Sequence, residues 1–372
     1  MKRKILIFYS ILMLAGLFSA GCKKSERLLA GGFTEGNEKG LMLYVLNTQN
    51  GKLRLISETD AGANPSFFCF SKSRNLIYAT NEVPDYSGLA AGGLTTLKYD
   101  PESGKIGKIY SLPVPFGGPC HISLSADGGF LLIASYSSSS VAVVKLGSDG
   151  IPEEVSDTIV YSAIAPLVSH PHMIAQDPFA RHVYLTDLGL DRIMIYDLDR
   201  QNGKLVPVPN GEIKVRQGSG PRHFAFNPAG TKMYLINELG STVMVFDVDK
   251  AGILKLVQTL PATNEGYKGN NACAEIIIGK DGKFLYGSNR GENSIVVFRI
   301  GPDGSLTLAG RSACGGNWPR NFVIDPSEEF LLSGNQKSGD ISVFRINLKT
   351  GMPEGPVFKT VMKGPACLEF FK

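Results

Sequence analysis

The sequence predicts an all-β chain, a seven-bladed propeller with four antiparallel strands per blade, and three observations carry that expectation. One pattern recurs: a Pro, an alternating apolar run, a polar turn, a second apolar run, then a small polar residue. Its anchors fall at Pro65, Pro119, Pro171, Pro221, Cys273, Pro319 and Pro365, at separations of 54, 52, 50, 52, 46 and 46 residues. A second count uses the Gly-bearing turn late in each repeat, at Gly51, Gly104, Gly150, Gly203, Gly252, Gly304 and Gly351, where a hairpin needs a residue that tolerates positive φ. The third observation is that the ends complete each other. After Pro365 there is room for one strand, whereas residues 28–56 carry three strand-like runs with no preceding anchor. The C-terminal strand is therefore expected innermost in a blade whose other three strands come from the N-terminus, leaving no open edge.

Taken in order, the chain begins with what reads as an address. Lys2, Arg3 and Lys4 precede an apolar run of 14 residues from Ile5 to Phe18, and Ser19-Ala20-Gly21-Cys22 forms a small-residue cleavage site. Residues 1–21 are expected to be a lipoprotein signal peptide, with Cys22 lipidated; an ordinary cleaved signal with an incidental Cys22 is the alternative. Residues 22–27 are expected to be a short tether and 28–372 the propeller. The mature chain would then be exported, periplasmic or on the cell surface, and held to a membrane by its lipid. Within the repeats, runs such as Ser241 to Asp247 and Ser294 to Arg299 show the β-branched and aromatic alternation of strands.

Composition excludes several classes. Gly 43 and Pro 21 make up about 17% of 372 residues, hydrophobic residues reach 43% and charged residues only 19%, which argues against disorder. Removing residues 1–21 takes away three positive charges and lowers the formal net charge from +4 to +1. No dense basic patch remains, so nucleic acid is not an expected partner. The five cysteines after Cys22 show no C-x-x-C spacing, and they read as small buried strand residues. No metal is expected, and a closed propeller is expected to work as a monomer.

In a propeller the innermost strands line a channel, so equivalent repeat positions form rings. The residue after each anchor gives Ser66, Cys120, His172, Arg222, Ala274, Arg320 and Ala366; the next gives Phe67, His121, Met173, His223, Glu275, Asn321 and Cys367. Sixteen residues past the first six anchors stand Asn81, Ser135, Asp187, Asn237, Asn289 and Asn335, followed by Glu82, Tyr136, Leu188, Glu238, Arg290 and Gln336. The uniform Asn/Ser/Asp column suits a turn-bonding scaffold role. His172, Arg222, Glu238, Glu275, Arg290 and Arg320 break the repeat, and a scaffold rule does not require that. His182 sits in a turn and is expected to be solvated. Arginines that fix an anion or oxyanion, with a His and a Glu to move protons, are the parts that lactone hydrolysis needs.

These residues resemble the seven-bladed propeller lactonases, a family that includes a bacterial 6-phosphogluconolactonase and a fungal carboxy-cis,cis-muconate lactonising enzyme. The likeness covers nearly the whole mature chain, through His170-Pro171-His172, Asp187-Leu188-Gly189, Pro221-Arg222-His223, Asn237-Glu238-Leu239, Ala274-Glu275-Ile276, Ser288-Asn289-Arg290-Gly291, Pro319-Arg320-Asn321 and Asn335-Gln336. The resemblance implies a lactonase that needs no cofactor, acting on a sugar or sugar-acid lactone. It implies catalytic roles for His172 (or His170), Arg222, Glu238 and Arg290. His172 is then expected as base, Glu238 as proton donor or water-orienting group, and the two arginines as anion clamp. His170, His223, Glu275, Arg320, Asn289 and Gln336 are expected to contact substrate. A non-catalytic propeller that binds a small anionic ligand or a protein partner, and a cycloisomerase of the muconate-lactonising type, are the alternative functions.

Overall fold

The structure, a computed structural model, describes residues 25–35, 38–164 and 166–371. Twenty-eight strands form seven four-stranded antiparallel sheets, the expected propeller. The N-terminal part supplies β1 (Ser25–Gly32), β2 (Leu41–Asn47) and β3 (Leu53–Thr59). Complete blades follow: β4 (Phe67–Ser71), β5 (Leu76–Asn81), β6 (Ala91–Tyr99) and β7 (Ile106–Pro115); then β8 (Pro119–Leu124), β9 (Phe130–Ser135), β10 (Ser140–Leu146) and β11 (Pro152–Val160). The next two are β12 (Pro171–Gln176), β13 (Val183–Asp187), β14 (Arg192–Asp199) and β15 (Lys204–Lys214), and β16 (Pro221–Phe226), β17 (Lys232–Asn237), β18 (Thr242–Val248) and β19 (Leu254–Pro261). The last are β20 (Cys273–Ile278), β21 (Phe284–Asn289), β22 (Ser294–Ile300) and β23 (Leu306–Ala313), and β24 (Pro319–Ile324), β25 (Phe330–Asn335), β26 (Asp340–Ile346) and β27 (Pro353–Val361). β28 (Pro365–Phe370) returns to pair with β1, Leu28 opposite Phe370 and Gly31 opposite Cys367, giving the order β28-β1-β2-β3.

Both sequence counts of seven have a physical basis. The anchors open the inner strands, save that β4 starts two residues after Pro65. The seven turn glycines all carry φ between 65° and 85°, in the hairpins before the outermost strands. One difference lies at the entry: β1 begins at Ser25, so residues 25–27 of the expected tether are already strand. Arg27 is fixed there, donating to the Tyr99 hydroxyl and the Pro101 carbonyl. Cys22 and the expected signal segment lie outside the described residues.

The core is a ring of seven inter-blade clusters, each built from the facing sheets of two adjacent blades. Phe130, Leu132, Val183 and Leu185 interleave in one, and Tyr234, Ile236, Leu285 and Phe298 in another. The closing blade packs on both neighbours in the same way, through Leu28, Tyr44 and Phe370 on one side and Leu29, Leu41 and Cys367 on the other. This arrangement lets so long a chain fold without one oversized core. Blade spacing is also fixed by polar ties: the hydroxyls of Tyr78, Tyr184 and Tyr234 donate to the turn carbonyls of Gly150, Gly252 and Gly304 in the following blade. His182, expected in solvent, is instead clasped between blades, with Nδ1 2.7 Å from Asp197 Oδ1 and Nε2 2.8 Å from the Ala251 carbonyl. The five described cysteines are free thiols, four buried and Cys69 partly so.

Tyr184→Phe removes the donor from a buried carbonyl and is expected to lower stability by about 1–3 kcal/mol. Urea unfolding should show a lower midpoint with an unchanged slope.

Candidate active site

A strand that alternates strictly would send only one of two consecutive residues into the channel. Here the pairing register shifts just after the anchor, between Pro171 and Met173, Pro221 and His223, Cys273 and Ile276, and Pro319 and Asn321. Such bulges re-aim side chains. Both rings read from the sequence consequently reach one narrow throat: His172, Arg222 and Arg320 from the first, His223, Glu275 and Asn321 from the second.

Glu238 is the hub of the throat. Its Oε2 lies 2.9 Å from Arg222 Nε and 2.6 Å from Arg290 Nη2. The arginines are held from behind by the start of β20: Arg222 Nη1 donates to the Ala274 carbonyl at 2.7 Å, and Arg290 donates to those of Ala272 and Cys273 at 3.0 and 3.2 Å. Arg290 also lies over the Trp318 ring, 5.5 Å from its centroid. Across the throat a second carboxylate, Glu82, accepts from Ser66 and faces Arg320 at 3.8 Å, while Arg320 lies over Phe33. Deeper, Glu275 accepts from His223 Nδ1 at 3.0 Å and from Asn321 Nδ2 at 2.5 Å.

Burial and charge set the protonation states. Burial, and after it the Arg222 charge, hold the His172 imidazole well below the usual histidine range, so it is neutral at neutral pH. Burial also lowers His223, although Glu275 opposes the shift. For Glu238 burial acts upward, but Arg290 and Arg222 outweigh it and keep the carboxyl below its ordinary value. Burial and the adjacent Arg222 push Arg290 down to about 10, which leaves it charged at neutral pH. Two buried ring nitrogens of the throat, His172 Nδ1 and His223 Nε2, make no hydrogen bond among the described residues.

The expected site residues therefore converge, with three distinctions. His172 lines the throat, whereas His170 stands beside it, stacked on Tyr136 at 4.3 Å with Nδ1 3.0 Å from the Tyr136 carbonyl. Asn289, expected at the substrate, is instead scaffold: fully buried, it donates to the Ala262 carbonyl and the Ser294 hydroxyl, each at 3.0 Å. Asn81 and Asn335 likewise tie carbonyls of Ala61 and Cys314, as the uniform column implied. Gln336 stays at the rim, its backbone N–H on the Trp318 carbonyl. Glu82 and Asn321 were missed as site residues, although Glu82 breaks its column as clearly as Glu238 does. Trp318 and Phe33 lie outside the aligned columns and carried no signal.

A propeller whose throat holds buried arginines on a shared carboxylate, beside neutral histidines, is the frame of a hydrolase for small oxygen-rich substrates. Residues 27–370 match the family described as "Lactonase, 7-bladed beta-propeller", and the chain belongs to that family. It is an enzyme of the lactonase class, a carboxylic-ester hydrolase with a small-molecule lactone as substrate. Among its relatives are a 6-phosphogluconolactonase of Formosa agariphila, 31% identical over 92% of this chain and 99% of the relative, and one of Bacillus subtilis, 28% identical over 91% and 97%. A solved structure described as the periplasmic gluconolactonase of Pseudomonas aeruginosa superposes with a TM-score of 0.87 at 28% identity, covering 94% of this chain and 99% of that one.

Because Glu238 titrates below its unfolded value, the stability it contributes is present above about pH 4.5 and lost as pH falls through its folded pKa. Glu238→Gln leaves two buried arginines without their anion, and a loss of about 3 kcal/mol is expected at pH 7. Denaturant titrations at pH 7 and pH 4 check both statements: the variant should be weaker at pH 7 and should lose less stability on acidification than the wild type.

Proposed function

We propose that the enzyme opens a neutral sugar lactone to its hydroxy acid in an exported compartment. The observation that carries the choice of a neutral lactone is the pairing of the throat's arginines. Arg222 and Arg290 share Glu238, and Arg320 faces Glu82. The nearby Lys337 is seated on the Trp318 ring at 3.2 Å. A phosphate dianion would have to compete with these partners, whereas a lactone carbonyl needs only to share them as negative charge develops on its oxygen. Arg222 and Arg290 then steady that oxygen. Glu238 stays anionic at neutral pH, so of the two roles expected for it we assign water orientation. His172, neutral and without a bond at Nδ1, contacts the sugar hydroxyls, as do Glu82, Arg320 and Gln336 at the rim.

Export and lipidation at Cys22 belong to the same reading, supported by the basic and apolar N-terminal segment and by the similarity to a periplasmic enzyme. Ser25 enters the closing blade at the end where Phe370 lies, away from the anchor end of β28 that borders the throat. An anchor on that side leaves the throat open to solvent, and we propose that the anchored enzyme acts as a monomer.

Acid release in a pH-stat, corrected for spontaneous opening, tests the activity. δ-Gluconolactone is expected to be opened with a kcat/KM at least tenfold above that for its 6-phosphate. Arg222→Ala is expected to lower kcat/KM about 10²-fold or more. A preference for the phosphate ester would overturn the neutral-substrate reading, and no acceleration with either lactone, from folded protein, would favour a binding propeller.

A further inference from the structure

The sequence nominated His172 as base, yet the throat holds a second histidine with the machinery that a base requires. We infer that His223, oriented by Glu275 and Asn321, is the general base that activates water; this deepens the lactonase reading and rests on it. A backbone group of the closing blade sets the orientation of Asn321. The Leu368 N–H donates to Asn321 Oδ1 at 2.9 Å, which fixes the amide so that its Nδ2 is the donor to Glu275 Oε2. Glu275 Oε1 accepts the Ile276 N–H at 3.0 Å and lies 3.0 Å from His223 Nδ1. An ionised carboxylate only accepts, so His223 carries its proton on Nδ1 and presents a lone pair at Nε2. That Nε2 is buried, makes no bond among the described residues, and belongs to a side chain lining the throat.

The other groups around His223 favour the neutral ring without taking its lone pair. His172 approaches edge-on from β12 at 5.1 Å between centroids, and His121 from β8 at 5.6 Å. Phe67 closes the side toward β4, and Arg222 and Arg320 contribute positive charge from its own strand and from β24. Among the described residues Glu275 is the one anion in contact with His223, and it opposes the effect of burial on the imidazole. His172 has no such carboxylate among the described residues, so it is the weaker base of the two.

The step balances. His223 Nε2 takes a proton from water as the water oxygen bonds to the lactone carbonyl carbon, and the carbonyl π pair moves onto oxygen beside the arginines. Collapse of this adduct re-forms the carbonyl and breaks the ring C–O bond. The imidazolium proton passes to the departing ring oxygen, so lactone plus water gives the hydroxy acid with no other reactant. Glu275 and Asn321 are positioning residues throughout.

Glu275→Gln separates this role from a structural one, because it keeps the side-chain shape while offering His223 an amide that can donate. With an active lactone, kcat is expected to fall about 10²-fold or more at a KM within about threefold, because the wrong tautomer then faces the water. The acidic limb of kcat/KM, expected in the wild type below the ordinary histidine value near 6.5, should move to lower pH once the supporting anion is gone. Nitrogen-15 spectra of histidine-labelled protein give a readout independent of turnover: His223 should be protonated at Nδ1 in the wild type and redistribute toward Nε2 in the variant. A wild-type His223 protonated at Nε2, or a Glu275→Gln enzyme with unchanged kcat and pH profile, overturns the inference. No lactone hydrolysis by the wild type, even with the expected tautomer, sinks the lactonase reading itself and this step with it.

Discussion

The hydrogen bonding of β28 to β1 joins residues more than three hundred positions apart, and the ring exists only because that sheet forms. Without it the closing blade lacks its inner strand, and the two clusters around Phe370 and Cys367 lose one wall each. An exposed strand edge would also remain at each end of the chain. Closure reaches the site as well, since Ala366 lines the throat and the Leu368 backbone orients Asn321. The rim of the throat is thus referenced to β28.

A closed ring places inner strands from every blade around one axis, and this explains why charge can be stored in its throat. Removing arginines and carboxylates from water is unfavourable unless each finds partners. The geometry supplies them: the carbonyls of Ala272, Cys273 and Ala274 hold Arg222 and Arg290, and Glu238 balances the pair. The Asn column and the tyrosine ties between blades satisfy much of the scaffold elsewhere, and the unbonded ring nitrogens His172 Nδ1 and His223 Nε2 belong to side chains that line the throat. Charge paired in a buried, preorganised setting needs little rearrangement when a carbonyl oxygen becomes negative, which is the condition for electrostatic catalysis.

One feature of the throat sits in tension with simple repeat logic. A repeat should place the same residue type at the same height in each blade, and for Asn81, Asn237, Asn289 and Asn335 it does. Glu82, Glu238, Arg290 and Gln336 follow them in sequence and differ from blade to blade. The scaffold function is common to every blade, whereas a bound substrate is asymmetric and requires different groups around it. The positions that break the pattern are therefore the candidates for contact with substrate.

Sequence by itself determined the number of blades, the strand order and the closure, because all three follow from local signals: an anchor, a positive-φ turn and apolar alternation repeated every 46 to 54 residues. It also determined which columns face the channel, and through them His172, Arg222, Glu238, Glu275, Arg290 and Arg320. Only the tertiary structure decided that two successive ring positions share one throat, because the bulge after the anchor is a property of strand pairing. It alone separated His172 from His170, tied Asn289 to the Ala262 carbonyl and the Ser294 hydroxyl, and set Glu238 against two arginines supplied by β16 and by the turn after β21. Whether Glu238 is charged depends on Arg222 of its own blade and on Arg290 of the next, and which nitrogen of His223 bears a proton depends on Glu275 in the next blade. Such contacts are fixed by how the blades close on one axis, which no local pattern records.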